Sequence, residues 1–251
     1  MRALAAVMYR EGLIRATNLL FIFWDVVYPL GYLLVFGVGL NSAVHFTGGP
    51  GAADYNAFFL AGVLGMASFG IASNTAWSFF LDRDNGIYFE MLTYPISRAQ
   101  YLVGKVLFNI GIALVQATVT IGLADALLGV PVRWAMLPLV AFLVIIGTAG
   151  WFFLYAIFAV LIRRNDAFNT LTSVFYFVLL FASSMFYPLE PLPAPLRLAA
   201  YANPITWQVD VLRYATTGLG NPSLLRLEIG AFAVFTAASF VGALTALRKD
   251  S

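Results

Sequence analysis

Residues 134–162 run for more than the width of a membrane without one charged side chain. A helix needs about 20 residues to cross ~30 Å of hydrocarbon, and in lipid every backbone amide must find its partner inside the protein, so a helix is what such a stretch forms. The pattern recurs along the chain. Residues 57–81, 167–187 and 229–247 carry no charge, 19–40 carries only Asp25, and 101–128 has Lys105 and Asp125 towards its ends. The expectation is an all-α polytopic membrane protein, a single transmembrane domain over residues 1–251, with six transmembrane helices near 19–40, 57–81, 101–128, 134–162, 167–187 and 229–247. Only 10% of the residues are charged and mean hydropathy is +0.87, whereas a soluble domain carries about 25% charged residues.

With six spans both termini share one side. Arg2, Arg10, Arg15, Arg83, Arg98, Lys105, Arg163, Arg164, Arg248 and Lys249 fall on that side, against Arg133, Arg197, Arg213 and Arg226 on the other. The excess of positive charge predicts that both termini and the 82–105 connection are cytoplasmic. In residues 1–18, Leu4, Val7, Met8, Glu11 and Ile14 recur at near-helical spacing with arginines elsewhere, which predicts an amphipathic helix lying in the membrane interface; a frayed cationic tail is the other reading. The apolar stretch that follows exceeds the ~7–15 residues of a signal-peptide core.

Several chemistries are excluded. The chain has no cysteine and one histidine, His45, so thiolate metal sites, disulfides and two-histidine zinc sites cannot form. No basic run points to nucleic acid. Asp25 and Asp125 fall near opposite membrane faces and form no catalytic pair, so the chain is not expected to be an enzyme. Asp25, inside a span, has two readings: a snorkelling or protein-paired carboxylate, or a group on a substrate route. Most aromatics are expected to face lipid or pack between helices. Small residues at four-residue spacing, Ala61/Gly65 and Gly70/Asn74, allow close helix approach.

Two connections break the apolar pattern. In 81–105, Ile87 to Tyr94 reads as a short helix that Pro95 stops, and Ser97 with Gln100 forms a capping box that starts the next helix. The segment is either a tight connection or a docking knob, with Ile87, Phe89, Met91 and Leu92 as apolar anchors and Arg83, Glu90 and Arg98 as charges for a soluble partner. In 188–228, Pro188, Pro191, Pro193 and Pro195 forbid a continuous helix. A helix is expected near 195–202; another is announced by Asn203 as N-cap and Pro204 as first residue and closes near Gly218; Asn221-Pro222 starts the helix into the last span. Asp210 and Arg213 are placed to pair. Because polar backbone at membrane depth survives only under cover of protein or water, the segment is expected to dip back into the outer leaflet.

"EMLTYPISRAQYLVGK" resembles the coupling segment of ABC-2 type transporter permeases, and "FYPLEPLPAPLRLAAYANPITWQVDVLR" resembles the signature which that family carries between its fifth and sixth spans. The resemblance implies an exporter permease paired with a second copy of itself or a close relative, and with two ABC ATPase subunits that bind ATP and Mg. The chain itself lacks the phosphate-cradling loop: Gly104-Lys105 is followed by Val106, with Ala99 where the first glycine would stand. The resemblance also implies that Arg83, Ile87, Phe89, Glu90, Met91, Leu92, Pro95, Ser97 and Arg98 couple to the ATPase. It places Asp25, Asn74, Thr75, Asn169, Thr172 and Ser173 near the route between spans one, two and five, and Tyr187, Glu190, Asn203, Pro204, Asp210 and Arg213 at the outer gate. The implied substrates are a drug or lipid-like amphipath, with a lipid-linked glycan as the alternative; an ATP-independent secondary transporter or channel is the reading from another class.

Overall fold

The computed structural model describes residues 2–18, 20, 23–43 and 55–249. Among these every regular element is helical: α1 (Arg2–Thr17), a π-turn (Phe23–Val27) that opens α2 (Tyr28–Ala43), α3 (Tyr55–Asp84), α4 (Ile87–Met91), α5 (Arg98–Leu128), α6 (Leu137–Leu161, after the 3₁₀ turn Trp134–Met136), α7 (Asn165–Phe181), α8 (Ala194–Tyr201), α9 (Pro204–Thr217) and α10 (Leu225–Lys249). His45 lies outside the described residues.

The helix boundaries follow local chemistry. Ser97 and Gln100 form the expected reciprocal capping box at the start of α5, with Gln100 N donating to Ser97 Oγ at 3.1 Å and Ser97 N to Gln100 Oε1 at 2.9 Å. Asn203 caps α9 through Ile205 N at 3.0 Å, and Gly218 closes it at φ 80°, where a side chain would be strained. The short helix after span two ends at Met91, earlier than Pro95 alone requires.

Four helices are by themselves long and apolar enough to cross a membrane: α3, α5, α6 with its 3₁₀ turn, and α10. The other two sequence spans are shorter. The first appears as an apolar helix over Phe23–Gly37 that begins with the π-turn. The fifth, α7, is 17 residues long and stops at Phe181 rather than near 187. A distant side chain ends it: Asn203 Nδ2 donates to Leu179 O at 2.7 Å and Ala182 O at 2.8 Å, taking carbonyls that would otherwise continue the helix.

Helix α3 is the axis of the bundle. It is buried on nearly every face, contacting α2, α5, α6 and α9, as expected for a helix that is apolar all round. Phe69 at its centre stacks on Tyr176 and meets Trp151 edge-on at 4.5 Å. Helix α9 wedges between α3 and α6, and Gly65 admits it, since a Cβ there would stand 2.7 Å from Val209; Gly62 admits the segment after α7, where a Cβ would stand 2.7 Å from the Met185 carbonyl. Trp151 is buried between helices and donates to Gln208 of α9 at 2.9 Å.

Helix α1 turns its patterned face to the rest of the protein. Val7 and Glu11, on the face patterned as membrane-seeking, are buried on protein, with Val7 against Gly104 of α5. Tyr9 and Leu13 instead turn outward. The pattern of residues 1–18 was a protein-packing stripe because its polar member, Glu11, has an ionic partner across the interface.

Because the Met185 carbonyl is backbone and cannot yield, Gly62→Ala will destabilise the protein by roughly 1–3 kcal/mol. Gly111→Ala, whose Cβ meets nothing within 4 Å, will leave the thermal unfolding midpoint in detergent unchanged or raise it.

Candidate functional site

Between the π-turn, α3 and α7 lies an open groove of about 390 Å³, lined by Trp24 and Tyr28, by Gly70, Ser73 and Asn74, and by Thr172, Ser173, Tyr176 and Phe177. Three elements build it because each places one residue per turn on the same side: Gly70 and Asn74 on α3, Thr172 or Ser173 with Tyr176 or Phe177 on α7, Trp24 and Tyr28 across the π-turn. The lining combines aromatic rings with hydroxyls and one amide.

The groove continues as an aromatic track. Trp24, Tyr28, Tyr32 and Phe36 stand four residues apart, with successive centroids at 5.2, 4.8 and 5.1 Å. On the other wall Phe177 stacks on Phe181 at 6.2 Å, and Phe181 on Phe186 at 5.1 Å. Phe36 reaches Phe186 at 6.4 Å, so the two walls meet at the end of the bundle away from α4.

Behind the groove, towards α4, lies a buried ionic network. Lys105, wholly inaccessible, donates to Glu11 Oε1 at 2.5 Å, Asp82 Oδ2 at 2.8 Å and Ser78 Oγ at 3.0 Å. Arg10 grips both oxygens of Asp82, at 3.0 and 2.5 Å, and the Tyr101 hydroxyl donates to the same carboxylate at 2.5 Å. Arg15 pairs with Asp25 and donates to Asn109 Oδ1 at 2.6 Å. Asn74 closes the chain by donating to Asp25 Oδ1 at 2.8 Å. On α1, burial works against the charge of Arg10, but the Asp82 carboxylate prevails and the guanidinium pKa rises; burial lowers that of Arg15 despite Asp25 and Glu11.

The residues singled out from sequence divide accordingly. Asn74, Thr172 and Ser173 line the groove. Asp25 is buried behind it and protein-paired, which is one of its two sequence readings. Thr75 is fully buried with its hydroxyl on Ile71 O at 2.7 Å, and Asn169 is exposed and bonded to Asn165 at 3.0 Å; neither lines the groove. Trp24, Tyr28, Ser73, Tyr176 and Phe177 escaped notice, although one helical turn from Asp25, Asn74, Thr172 or Ser173 reaches each of them.

At the α4 end, Phe89, Glu90, Tyr94 and Pro95 are exposed, while Ile87, Met91 and Leu92 are half-buried. Buried Tyr88 meets Tyr101 at 5.2 Å and Phe79 at 5.6 Å, which seats α4 on α3 and α5. Arg83 donates to Ala159 O, and Arg98 to Leu247 O at 2.5 Å, so both bind helix C-termini of this chain. Ser97 is the N-cap already described.

At the opposite end Arg213 lies 3.9 Å over the Phe58 ring and pairs with Asp210 at 2.6 Å. Tyr187 donates to Phe181 O, and Arg197 to the Glu190 carbonyl at 3.4 Å. Asn203 and Pro204 start α9 and tie it to the end of α7. Of the six gate positions read from sequence, Glu190, Asp210 and Arg213 line one cavity, whereas Tyr187, Asn203 and Pro204 do not.

Among the described residues, an all-helical bundle with four helices long and apolar enough to span a bilayer, one of which, α3, walls an aromatic groove, defines a polytopic membrane protein. A family model described as ABC-2 type transporter matches residues 2–216. The chain therefore belongs to the ABC-2 type transporter family. Among curated relatives, a protein of Porphyra purpurea provisionally named transport permease ycf38 is 28% identical over 194 residues, 75% of this chain and 65% of the relative. Its counterpart of the same name in Pyropia yezoensis is 25% identical over 193 residues, with the same coverage. The chain thus spans about 65% of the length of these relatives.

Replacing Lys105 by Met will take the close cation from buried Glu11 and leave Asp82 with Arg10 and Tyr101 alone, at a cost of about 3–5 kcal/mol, read as a fall in the unfolding midpoint; Arg10→Met, at the network's half-exposed edge, will cost less.

Proposed function

We propose that the chain is the membrane subunit of an ATP-driven exporter that moves an amphipathic substrate, a drug or lipid-like molecule, outward from the cytoplasm or inner leaflet. The aromatic track carries this reading. Its rings offer apolar and cation-tolerant faces, the hydroxyls of Ser73, Thr172 and Ser173 offer hydrogen bonds, and no charged residue lines the groove. A molecule with an apolar body and a polar end suits such a surface; a long glycan, which needs dense hydrogen bonding, suits it less.

In this reading the short first and fifth helices complete six spans, α8 and α9 form a re-entrant segment at the outer face, and both termini with α4 face the cytoplasm of a cell membrane. A second copy, or a close relative, covers the exposed row Leu171, Val174, Phe177, Val178 and Phe181 of α7, so that two grooves face each other. Two ABC ATPase subunits bind ATP and Mg and dock on α4, where Phe89, Glu90 and Tyr94 project. Tyr88 and Tyr101 link α4 to α3 and α5, and movement of α4 is thereby conveyed to the groove wall at Asn74. The helix-capping bonds of Arg83 and Arg98 give these residues a positioning role, with Glu90 the charge presented to the ATPase.

Affinity purification in mild detergent is expected to recover an ABC ATPase in fixed ratio; its consistent absence from a folded, transport-active preparation sinks the proposal. In the reconstituted complex, Phe89→Ala with Glu90→Ala will reduce ATP-driven transport about tenfold or more, as loss of 1.4 kcal/mol of docking energy requires, while the unfolding midpoint of the permease stays within a few degrees of wild type. Phe177→Ala will raise the KM for an amphipathic substrate without altering basal ATP hydrolysis; an unchanged KM would remove the groove from the route.

A further inference from the structure

At the end of the bundle opposite α4, a cavity of about 360 Å³ lies between α3, α9, α10 and the connections on either side of α8 and α9. Its charged lining is Glu190, Asp210, Arg213 and Glu228. Arg213 spends each of its three nitrogens on other partners: Nη1 donates to Asp210, Nη2 to Ser184 O at 2.6 Å and Nε to Phe58 O at 3.2 Å, and none of them donates to Glu190 or Glu228. Both hydrogen bonds to Asp210, from Arg213 and from the Ser184 hydroxyl at 2.6 Å, fall on Oδ1 and leave Oδ2 available.

Glu228 differs from its neighbours. It is 5% exposed, lines the cavity, and among the described residues accepts no hydrogen bond and joins no ion pair. One arginine therefore faces three carboxylates, each with at least one oxygen that accepts no hydrogen bond among the described residues; Glu190 is exposed, whereas Glu228 is buried. An ionised carboxylate without a donor is costly to bury, so the cavity is a site that takes up positive charge. Tyr201 on its wall registers the same field: burial first, and then the carboxylates of Glu190, Asp210 and Glu228, raise its phenol above the ordinary range, with Arg197 opposing.

We propose that this cavity binds a small organic ammonium ion, with its N–H groups on Glu228 and on Oδ2 of Asp210 and its apolar body against Tyr201, Leu189 and Leu224. An ammonium supplies several directed donors to carboxylates that have none, and the volume lies within the range of small-molecule pockets. A hard divalent ion is a poor match, because it needs six or more oxygen ligands and would sit beside the Arg213 guanidinium. The inference concerns binding by this chain alone and does not depend on an ATPase partner or on transport.

The test uses the purified full chain in detergent at pH 7, with phenylethylammonium chloride, 2-phenylethanol and potassium chloride as separate probes in calorimetric titration and thermal unfolding. Phenylethylammonium is expected to bind saturably and raise the unfolding midpoint, 2-phenylethanol to do neither, and Glu228→Gln to weaken ammonium binding at least tenfold. Equal responses to the alcohol reveal simple apolar partition, and equal responses to potassium an inorganic ion only; either overturns the proposal. So does stabilisation on acidification from pH 7 to 5 without an ammonium response, which would mean that Glu228, facing Glu190, Tyr201, Asp210 and Arg213, takes only a proton. Should Glu228→Gln fail to fold, Leu224→Trp fills the mouth of the cavity and is expected to abolish the ammonium response; a retained response overturns the site.

Discussion

Lys105 is wholly buried in a membrane protein, and the structure around α1, α3 and α5 is organised by that fact. An ammonium in a low-dielectric interior survives only with counter-charge and hydrogen bonds in good geometry. Glu11, Asp82 and Ser78 supply both, and Arg10 and Arg15 then compensate the surplus carboxylates of Asp82 and Asp25. Three cations meet three carboxylates. Because dispersion between helices in lipid is barely stronger than dispersion against lipid tails, such a network fixes register more sharply than apolar contact does. Sliding α1 by one turn along α5 would take Glu11 from Lys105, which keeps Asp82 and Ser78 on α3, and leave a buried carboxylate without its close cation.

The opposite end meets a different constraint, since there the chain abandons regular helix between α7 and α10. Buried backbone groups must still be paired. Asn203 serves two helices at once, accepting from Ile205 N to start α9 and donating to Leu179 O and Ala182 O to end α7. Arg213 does the same for Phe58 O and Ser184 O. Polar side chains thus replace the missing ladder; Gly65 lets α9 approach α3 closely, and Gly62 does the same for the segment after α7.

The long uncharged runs made the helical class legible, and the caps at Ser97, Asn203 and Gly218 were legible because capping depends on neighbours in sequence. The end of α7 was not, since it depends on Asn203, more than 20 residues away. The partners of Lys105 were hidden for the same reason: Glu11 stood on an apolar stripe, and only the docking of α1 on α5 explains why a carboxylate belongs there. Of the groove, the polar members Asn74, Thr172 and Ser173 could be picked out by being polar in a span. Its aromatic members drew no notice among so many rings, although the four-residue spacing of Trp24, Tyr28, Tyr32 and Phe36 was present in the sequence and marks one helix face.

Along α3 the two ends are electrically unlike, and the contrast bears on what the groove tolerates. Asn74 is at once a wall of the groove and a donor to Asp25, whose charge Arg15 already balances. The carboxylate nearest the groove therefore presents little net field, and a cation entering there gains no strong ionic partner that would hold it. At the far end one guanidinium faces Glu190, Asp210 and Glu228. The energetic cost of leaving Glu228 unpaired falls on whatever arrangement lacks the cation. One rule describes both ends: complete charge compensation in the Lys105 network, and incomplete compensation in the cavity at the far end.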